Sequence, residues 1–466
     1  MASHNIEITV DDTTLGAAAS SDGVMMIFIH GYTAGNSLVY DTAYLLTSLA
    51  GATALGLSQA NDEANNMYAF GHVNEFYDGS LNDGALLWLV LTSPTVSYST
   101  YVTTSTFTGL VQYTSASNPA NRAKMIGFCY LVPQTTNTGA NYFKSDVIPA
   151  LAAIQQAQQS MFYNYYQWSA ILDGNNMNAS INPLTVQNLP SMTLQASSAV
   201  SLCITGTQPN GVAGVGLALG RFARISVGHG FGAVADGPVT TSTAYLTNGV
   251  TIGENIISGT GGVLQVGTTY TVITAPIVYN GVTYQPGQIF TVVAGHTSFT
   301  TSAGGYAVTG GTPVGALSQG PNGQITTLGN AQYMFLCTVF NQSGFYWNDG
   351  ATCVPTNLAL SSQEYNRVTN ALSADAVSFF TQFRGSTLPS LPSSGALAPG
   401  WISIQQNAFN QLYIVPLVNS GDIVGATLVI TGPNYNATGT IFFTLTITRA
   451  TILGNVIGTV TFSITV

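Results

Sequence analysis

Short apolar runs alternate with helix-like stretches from Val24 to about Pro238, and this alternation is the feature that most constrains the fold. Five runs have the length and composition of buried strands: MMIFIH (25–30), LLWLVL (86–91), MIGFCYLV (125–132), SAIL (169–172) and SLCITG (201–206). The clearest helix between them has Ser145 as its N-cap and carries an apolar face made of Leu151, Ile154, Met161 and Tyr165. The pattern predicts an α/β main body over residues 21–238.

The pattern changes abruptly after Gly237-Pro238. About 85 residues rich in Thr, Gly, Val and Tyr follow without a helical period, and turn signals such as Tyr279-Asn280-Gly281 separate short strands. This composition predicts an inserted all-β domain over residues 239–325, with the Gly-rich segment from Gly310 as the route back to the main body. We expect the insert to be an autonomous module that is dispensable for folding of the rest.

A C-terminal α+β domain is predicted over residues 326–440. Strand character resumes at QYMFLCTVF (332–340), and a long helix is expected from Ser361, because Ser361 and Glu364 form a capping box. Apolar residues then repeat at helical spacing, namely Tyr365, Val368, Leu372, Phe379 and Phe383. Beyond Pro399 the chain is interpreted as rich in strands.

Both ends of the sequence are β-patterned, residues 1–20 as an N-terminal arm and residues 441–466 as C-terminal strands or an arm. A terminal strand pairs with some sheet or leaves an exposed edge, and pairing within one chain or with a neighbour's sheet would each satisfy it. We expect exchange between subunits. The positions expected to carry it are Ile6, Ile8, Val10, Ile441, Phe443, Leu445, Ile447, Val460, Phe462 and Ile464.

Charge is scarce in this sequence. Only 6% of the residues are charged and 46% are hydrophobic, whereas an average soluble domain has about 25% charged residues. A surface built from neutral polar residues indicates coverage by partners, although an unusually neutral monomer is the alternative. The net charge of −10 has the wrong sign for binding nucleic acid. No stretch approaches the roughly 20 apolar residues of a membrane span, so we expect no membrane insertion.

The sharpest enzyme candidate is the Gly-rich run from Gly211 to Gly220, which follows the SLCITG strand and precedes Asp236. A dinucleotide-binding fold would place a diphosphate on this loop and the acid on a ribose. The spacing fits poorly, because residues 206–210 separate the strand from the loop. We therefore expect a helix start that packs closely on its neighbour.

Other chemistry-bearing residues form no recognisable site. The sequence lacks a G-x-S-x-G motif, and its five histidines (4, 30, 72, 229 and 296) fit no metal-binding pattern, so we expect each to be a surface or loop residue. Asp62-Glu63 resembles a solvated cap. The four cysteines, Cys129, Cys203, Cys337 and Cys353, are expected as buried thiols. We expect no catalytic residue, cofactor or metal.

Three passages resemble contractile phage tail sheath proteins, specifically a group found in phages and tail-like particles of Bacteroidetes and related bacteria. The first passage comprises TAYLLTSLAGATALGL (42–57) and NMYAFGHVNEFYDGSLNDGALLWLVL (66–91), and the second is GVGLALGRFARISVGHGFGAVADGP (214–238). The third is GFYWNDG (344–350), followed by a helix that keeps Arg367 but lacks most of the family's positive charge.

The resemblance implies a structural subunit and not an enzyme. Such subunits form stacked rings or a helix around a tail tube, and their contraction drives the tube through a host envelope without nucleotide hydrolysis. It implies other copies of the chain, a tail tube protein, and baseplate and tail terminator proteins as partners, in a virion tail assembled in the host cytoplasm. The insert would face outwards, the C-terminal domain would face the tube, and the arms would enter neighbouring sheets. The alternatives are another virion structural protein, such as a capsid or tail-tube component, and a dinucleotide-binding α/β enzyme.

Overall fold

The computed structural model describes most of the chain between residues 23 and 449. Within that span it describes every residue except 66, 82–83, 118–121, 132–142, 144, 163–165, 175–189, 205–212, 240–254, 259–268, 273–276, 285–288, 292, 297, 299, 302–306, 311–327, 338–345, 357–359, 384–385 and 433–440. The predicted N-terminal arm and most of the predicted C-terminal arm therefore lie outside the described residues.

The described residues form strands throughout the length of the chain. In chain order they are β1 (Val24–His30), β2 (Ala43–Leu46), β3 (Leu86–Thr92), β4 (Met125–Cys129), β5 (Ser169–Asp173), β6 (Val200–Cys203), β7 (Asn255–Ser258), β8 (Thr269–Val272), β9 (Ile277–Tyr279), β10 (Val282–Tyr284), β11 (Ile289–Thr291), β12 (Thr300–Thr301), β13 (Ala307–Gly310), β14 (Tyr333–Met334), β15 (Leu336–Cys337), β16 (Tyr346–Trp347), β17 (Ile423–Thr431) and β18 (Phe442–Arg449).

Helices occupy the intervals outside the region of β7 to β13. They are α1 (Leu49–Ala54), α2 (Gln59–Asn65), α3 (Ala69–Gly79), α4 (Tyr98–Tyr101), α5 (Ser105–Ser117), α6 (Val147–Phe162), α7 (Val215–Arg224), α8 (Gln363–Thr381), α9 (Pro399–Phe409) and α10 (Val415–Asn419), with a π-helical turn at Asn410–Ile414 between the last two. None of the helices in the described residues is both long and apolar enough to cross a membrane.

Seven strands form one sheet in the order β14-β6-β5-β4-β1-β3-β2. Every neighbouring pair is parallel except β2 and β3, which run antiparallel at one edge. Residues Met25 to Ile29 in the central strand β1 have no exposed surface, and their neighbours in β3 and β4 are also buried. Continuous apolar runs suit this position, because a parallel sheet is covered on both faces.

Helices cover each face of this sheet. Met26 and Phe28 of β1 point into a cluster with α5 and α6, whereas Met25, Ile27 and Ile29 point into a second cluster with α3 and α7. Alternate residues of a strand face opposite sides, so one apolar run supplies both layers. The predicted α/β architecture is confirmed as a mixed α/β fold with a mostly parallel sheet.

The five predicted strands of the main body are confirmed, although two end earlier than expected, at Cys129 and at Cys203. The predicted helix after Ser145 is α6, which buries Leu151, Ile154 and Met161; Tyr165 lies outside the described residues. The strand predicted over 332–340 is divided between β14 and β15 in the described residues, and β14 joins the main sheet beside β6. No strand was predicted at β2, whose four residues are too few for a clear pattern.

The described residues of the predicted insert form two antiparallel sheets, β10-β9-β12 and β11-β8-β13-β7, without a helix. A tight hairpin joins β9 to β10 at the predicted turn, where Asn280 and Gly281 have φ values of 49° and 74°. Two consecutive left-handed residues are the signature of a type I′ turn, which suits Asn-Gly. The extent and the autonomy of the insert stay predictions.

The chain divides into two compact units, residues 1–227 with 231–370 and residues 228–230 with 371–466. The predicted domain boundary at residue 326 falls earlier than this division. In the second unit Phe379 packs against Phe409 and Tyr413, while Phe380 stacks on Phe443 of β18 at 4.6 Å between ring centroids. The helix predicted from Ser361 begins at Gln363, so Ser361 lies one residue before the N-cap position and the predicted capping box does not form.

Candidate functional site

The Gly-rich candidate loop leads into α7, which packs against α3 at very close range. A Cβ atom added at Gly216 would lie 2.0 Å from the carbonyl oxygen of His72, and one added at Gly220 would lie 2.1 Å from that of Phe76. Only glycine allows two helix backbones to approach so closely. The closely packed helix start that we predicted is confirmed, and these glycines serve helix packing.

The acid considered for ribose binding has another role. Asp236 forms an ion pair with Arg221, with 2.5 Å between Oδ2 and the guanidinium nitrogen Nη2. The same nitrogen donates to the carbonyl oxygen of Ala233 at 3.2 Å. Asp236 therefore fixes the loop after α7 to the last turn of that helix.

The crevice that usually binds ligands in an α/β sheet lies beyond the carboxyl ends of the strands where the strand order reverses. Here the chain runs from β1 to β3 and then crosses to β4 on the other side of β1. The buried Tyr98 occupies this place: its hydroxyl lies 3.0 Å from the carbonyl oxygen of Phe28 and 2.8 Å from that of Cys129. The ring of His30 stacks on Tyr98 at 4.3 Å. Aromatic side chains fill the crevice.

The carboxylate of Asp146 fixes the positions of Tyr98 and Tyr130, two of the aromatic residues at this crevice. Asp146 accepts hydrogen bonds from the backbone nitrogens of Tyr98 and Ser99 at 2.6 and 3.2 Å, from the Ser99 hydroxyl, and from the Tyr130 hydroxyl at 2.9 Å. Burial raises the pKa of the Tyr98 hydroxyl well above its ordinary value, so that this group stays a proton donor. The crevice is closed by groups that satisfy one another.

Two of the five histidines contradict the expectation of surface or loop positions. His30 ends β1 and His72 lies in α3, and both are buried. Burial lowers the pKa of His72 to about 3, so the ring is neutral at pH 7. Both residues lie within apolar runs or helix faces, which the search for motifs overlooked. His229 and His296 lie in loops, as expected, and His4 lies outside the described residues.

Neither a metal site nor a disulfide is formed by the described residues. They contain no group of three or more His, Cys, Asp or Glu residues able to hold a metal ion. The four cysteines are buried thiols, as predicted. Asp62, expected to be solvated, is instead buried and accepts hydrogen bonds from the backbone nitrogens of Phe70 and Gly71 at the start of α3. Asp62 therefore caps the N-terminus of α3 from a buried position.

Arg367, the basic residue retained in the third resembling passage, binds within its own chain. Its guanidinium donates to the carbonyl oxygens of Phe222, Ile225 and Ser226 at 3.0, 2.9 and 3.1 Å. Phe222 lies in the last turn of α7 and Ile225 and Ser226 follow it, a place where helix bonding leaves carbonyl acceptors open. Glu364 of the predicted capping box accepts from the backbone nitrogen of Phe231 at 2.7 Å. Sequence reasoning missed both roles, because the partners are over 130 residues away.

The predicted strand-exchange positions that the structure describes lie at β18. Ile441 precedes this strand, and Phe443, Leu445 and Ile447 lie within it. β18 pairs with β17 of the same chain, with Leu445 opposite Leu428 and Phe443 opposite Ile430. Within the described residues this sheet has two strands, so each outer edge has no partner strand. The remaining predicted positions, Ile6, Ile8, Val10, Val460, Phe462 and Ile464, lie outside the described residues.

The second unit also exposes a series of large apolar side chains. Ile404, Leu412, Val424, Val429 and Phe442 have exposed fractions between 46% and 64%. The interpretation of the chain beyond Pro399 as rich in strands is wrong for residues 399–419, which are helical. Residues 399–421 contain no acidic or basic residue. Exposed apolar groups on a surface without charges are typical of a surface that a partner covers. These exposed side chains of the second unit form the candidate assembly surface.

The fold of the chain is similar to that of solved proteins. A chain of the anti-feeding prophage (AFP) baseplate, solved by cryo-EM with 6-fold symmetrisation, is similar with a TM-score of 0.50 and 8% identity over 100% of each chain. A chain of the AFP helical sheath in its contracted state has a TM-score of 0.50 and 10% identity over 99% of each chain. The predicted resemblance to contractile sheath proteins is thus confirmed at the level of the fold.

Comparison of the amino-acid sequence with curated proteins finds no match, whereas comparison with protein-family models does. A family model described as DUF2586, N-terminal domain, matches residues 4–256. This match spans more than half of the sequence and includes the seven-stranded sheet except β14. The chain belongs to the DUF2586 family.

Proposed function

We propose that this chain is the structural subunit of a contractile tail sheath. The observation that carries the proposal is the likeness in fold to a chain of a contracted helical sheath, which extends over 99% of both chains. A likeness that includes both compact units favours a shared mode of assembly over reuse of one common α/β domain. The subunits polymerise around a tail tube, and their rearrangement drives the tube through a host envelope.

The closed crevice supports a role without catalysis. In the main sheet, the place where an α/β enzyme would bind its ligand is occupied by Tyr98 and His30, whose rings stack at 4.3 Å. Contraction then draws on energy stored in the extended assembly and requires no nucleotide hydrolysis.

Exchange of terminal strands links the subunits in this proposal. The edges of the β17–β18 sheet, which pair with no further strand among the described residues, are the acceptors, and the β-patterned ends around Ile6 to Val10 and Val460 to Ile464 are the donors. Each backbone hydrogen bond contributes only about 0.5–1.5 kcal/mol, but several bonds in each arm, repeated around every ring, hold the subunits together during contraction.

The remaining partners follow from the same arrangement. The sheath contacts a tail tube protein on its inside, a baseplate protein at one end and a tail terminator protein at the other, in the tail of a virion or tail-like particle. The stretch over residues 399–421, which has no acidic or basic residue, supports a position of the C-terminal domain against the tube, and we place the insert over 239–325 outwards.

Electron microscopy of the purified full-length chain tests the proposed function. We expect tubular or ring-shaped polymers from the intact chain. Removal of residues 1–12, or of the last dozen residues, should leave a folded subunit with an unchanged circular dichroism spectrum that no longer polymerises. Monodisperse monomers from the intact chain, with no incorporation into tails, would contradict the sheath role. Polymers from both truncated chains would contradict strand exchange alone.

A further inference from the structure

The turn between β9 and β10 carries an asparagine whose chemistry the proposed assembly does not use. Asn-Gly occurs four times in the sequence, at 210–211, 248–249, 280–281 and 322–323. Of these pairs the structure describes Asn280-Gly281, and both residues are exposed. Glycine has no side chain beside its backbone nitrogen, and among the described residues no atom lies within 4 Å of the place that a Cβ of Gly281 would occupy. The nitrogen of Gly281 is therefore unhindered.

Asn280 differs from the other exposed asparagines of the described residues. Three more have exposed side chains, and all of them lie in helical segments: Asn330, Asn407 and Asn419. Each is followed by alanine or serine, which has a side chain. After Asn419, the nitrogen of Ser420 also donates to the carbonyl oxygen of Pro416 at 3.0 Å. Within the described part of the chain, Asn280 is thus the exposed asparagine whose following nitrogen is most accessible.

The closed turn has to relax before Asn280 can react, because its backbone is held in the left-handed region with φ of 49°. Within the described residues β10 is an edge strand, and it pairs with β9 through three residues. Short segments at an edge open at low cost. Tyr279 stays fixed, since it is 3% exposed and its hydroxyl accepts from the backbone nitrogen of Val293 at 2.8 Å. Opening therefore concerns the turn and β10.

We propose that Asn280 is a site of spontaneous deamidation, with water as the co-reactant. The nitrogen of Gly281 loses its proton and attacks the side-chain carbon Cγ of Asn280. The new N–Cγ bond closes a succinimide ring, the Cγ–Nδ2 bond breaks, and ammonia leaves. Water then opens the ring. Cleavage of the N–Cγ bond gives aspartate, whereas cleavage of the original peptide bond gives isoaspartate, in which the main chain runs through Cγ.

Both products change the insert. Glu254 is the only Asp, Glu, Lys or Arg between Val239 and Gly329, so either new carboxylate doubles the formal charge of this segment. Isoaspartate also adds a carbon atom to the main chain, whereas this hairpin fits a loop of two left-handed residues. The longer loop does not match the pairing of Tyr279 with Val282. Isoaspartate should therefore open the β9–β10 hairpin.

Ageing of the full-length chain at pH 7 and at pH 8, followed by pepsin digestion and mass spectrometry, tests the modification. We expect Asn280 to convert in the folded chain, about tenfold faster at pH 8, because the attacking nitrogen first loses its proton. Asn419 is the control within the same chain and should convert at least about tenfold more slowly, since a hydrogen bond holds the nitrogen of Ser420. The proposal is wrong if Asn280 of the folded chain stays an amide, or if both asparagines convert at equal rates.

Asn280→Asp separates the added charge from the longer main chain. Aspartate keeps the ordinary main chain and suits the same type of turn. Hydrogen exchange over residues 277–284 should stay as it is in the original chain for this variant, and should become at least about tenfold faster in aged chains that contain isoaspartate. Equal exchange in the two would contradict the opening of the hairpin. Neither measurement needs polymers, so a failure of the sheath proposal leaves both results valid.

Discussion

The seven-stranded sheet and the β17–β18 sheet are built from similar residue types but bury them differently. In β1 the residues from Met25 to Ile29 have no exposed surface, whereas Val424, Val429 and Phe442 of the smaller sheet are 64%, 46% and 59% exposed. A two-stranded sheet is marginally stable in water by itself. This difference is the one expected if, as proposed above, contacts with partners complete the second unit.

The largest effect is expected where two helices of the first unit touch. Gly216→Val would place its side chain onto the carbonyl oxygen of His72, 2.0 Å from the added Cβ. We expect a loss of about 4 kcal/mol or more in the free energy of unfolding, because both backbones are fixed by the sheet beneath them. Urea denaturation measures this loss.

Gly109→Ala provides the control for this substitution. Gly109 lies within α5, and no atom lies within 4 Å of an added Cβ. Alanine should stabilise this helix by about 0.5–1 kcal/mol. Equal destabilisation by both variants would show that the close approach of α3 and α7 is not what makes Gly216 necessary.

The second-largest effect on stability is expected from Arg367 of α8, the buried cation that binds carbonyl oxygens at and just beyond the end of α7. Arg367→Gln removes the guanidinium that donates to Phe222, Ile225 and Ser226. We expect unfolding to become easier by about 3 kcal/mol, since buried carbonyl oxygens lose their donors. Chemical denaturation of the variant measures this cost. An unchanged stability would show that the three carbonyl oxygens do not depend on this guanidinium.

Lowering the pH is expected to reduce the stability of the fold by a smaller amount, through protonation of His72 in the unfolded chain. Because the pKa of His72 is about 3 in the folded chain and about 6.5 in an unfolded chain, protons bind the unfolded state first. The contribution of this histidine to stability is complete above pH 6.5 and declines as the pH falls towards 3. At pH 5 the loss is roughly 2 kcal/mol. Melting curves between pH 7 and pH 5 measure it.

Two histidine variants isolate this effect. His72→Gln should remove its part of the pH dependence, whereas His296→Gln, at an exposed position in the β insert, should retain it. An identical pH dependence in the original chain and in His72→Gln would mean that another group titrates.

The smallest effects compare the two sheets directly. Val90→Thr places a hydroxyl at a fully buried position of β3 and should cost about 1–3 kcal/mol. Val429→Thr makes the same change on β17, where the side chain is 46% exposed, and should change stability by no more than about 0.5 kcal/mol. Thermal unfolding measures both, and equal costs would remove the contrast between the sheets.

Local patterns were sufficient to predict much of this fold. The buried strands follow from apolar runs such as residues 86–91, and the β9–β10 turn follows from Asn280-Gly281. Both depend on neighbouring residues alone. The sequence did not reveal that β14 pairs with β6, because that contact joins segments about 130 residues apart and only two residue pairs define it.

The candidate sites were harder to predict for the same reason. The burial of His72 depends on the close approach of α3 and α7, which two glycines permit. In contrast, the scarcity of charge was visible in composition, and it pointed to assembly before any contact was known.

A helical reconstruction of the polymer by cryo-EM tests strand exchange between subunits. We expect a hollow assembly in which the β17–β18 sheet of each subunit gains strands from other copies, contributed by residues around 6–10 and 460–464. An assembly in which this sheet keeps two strands, or in which both ends pair only within their own chain, would contradict it.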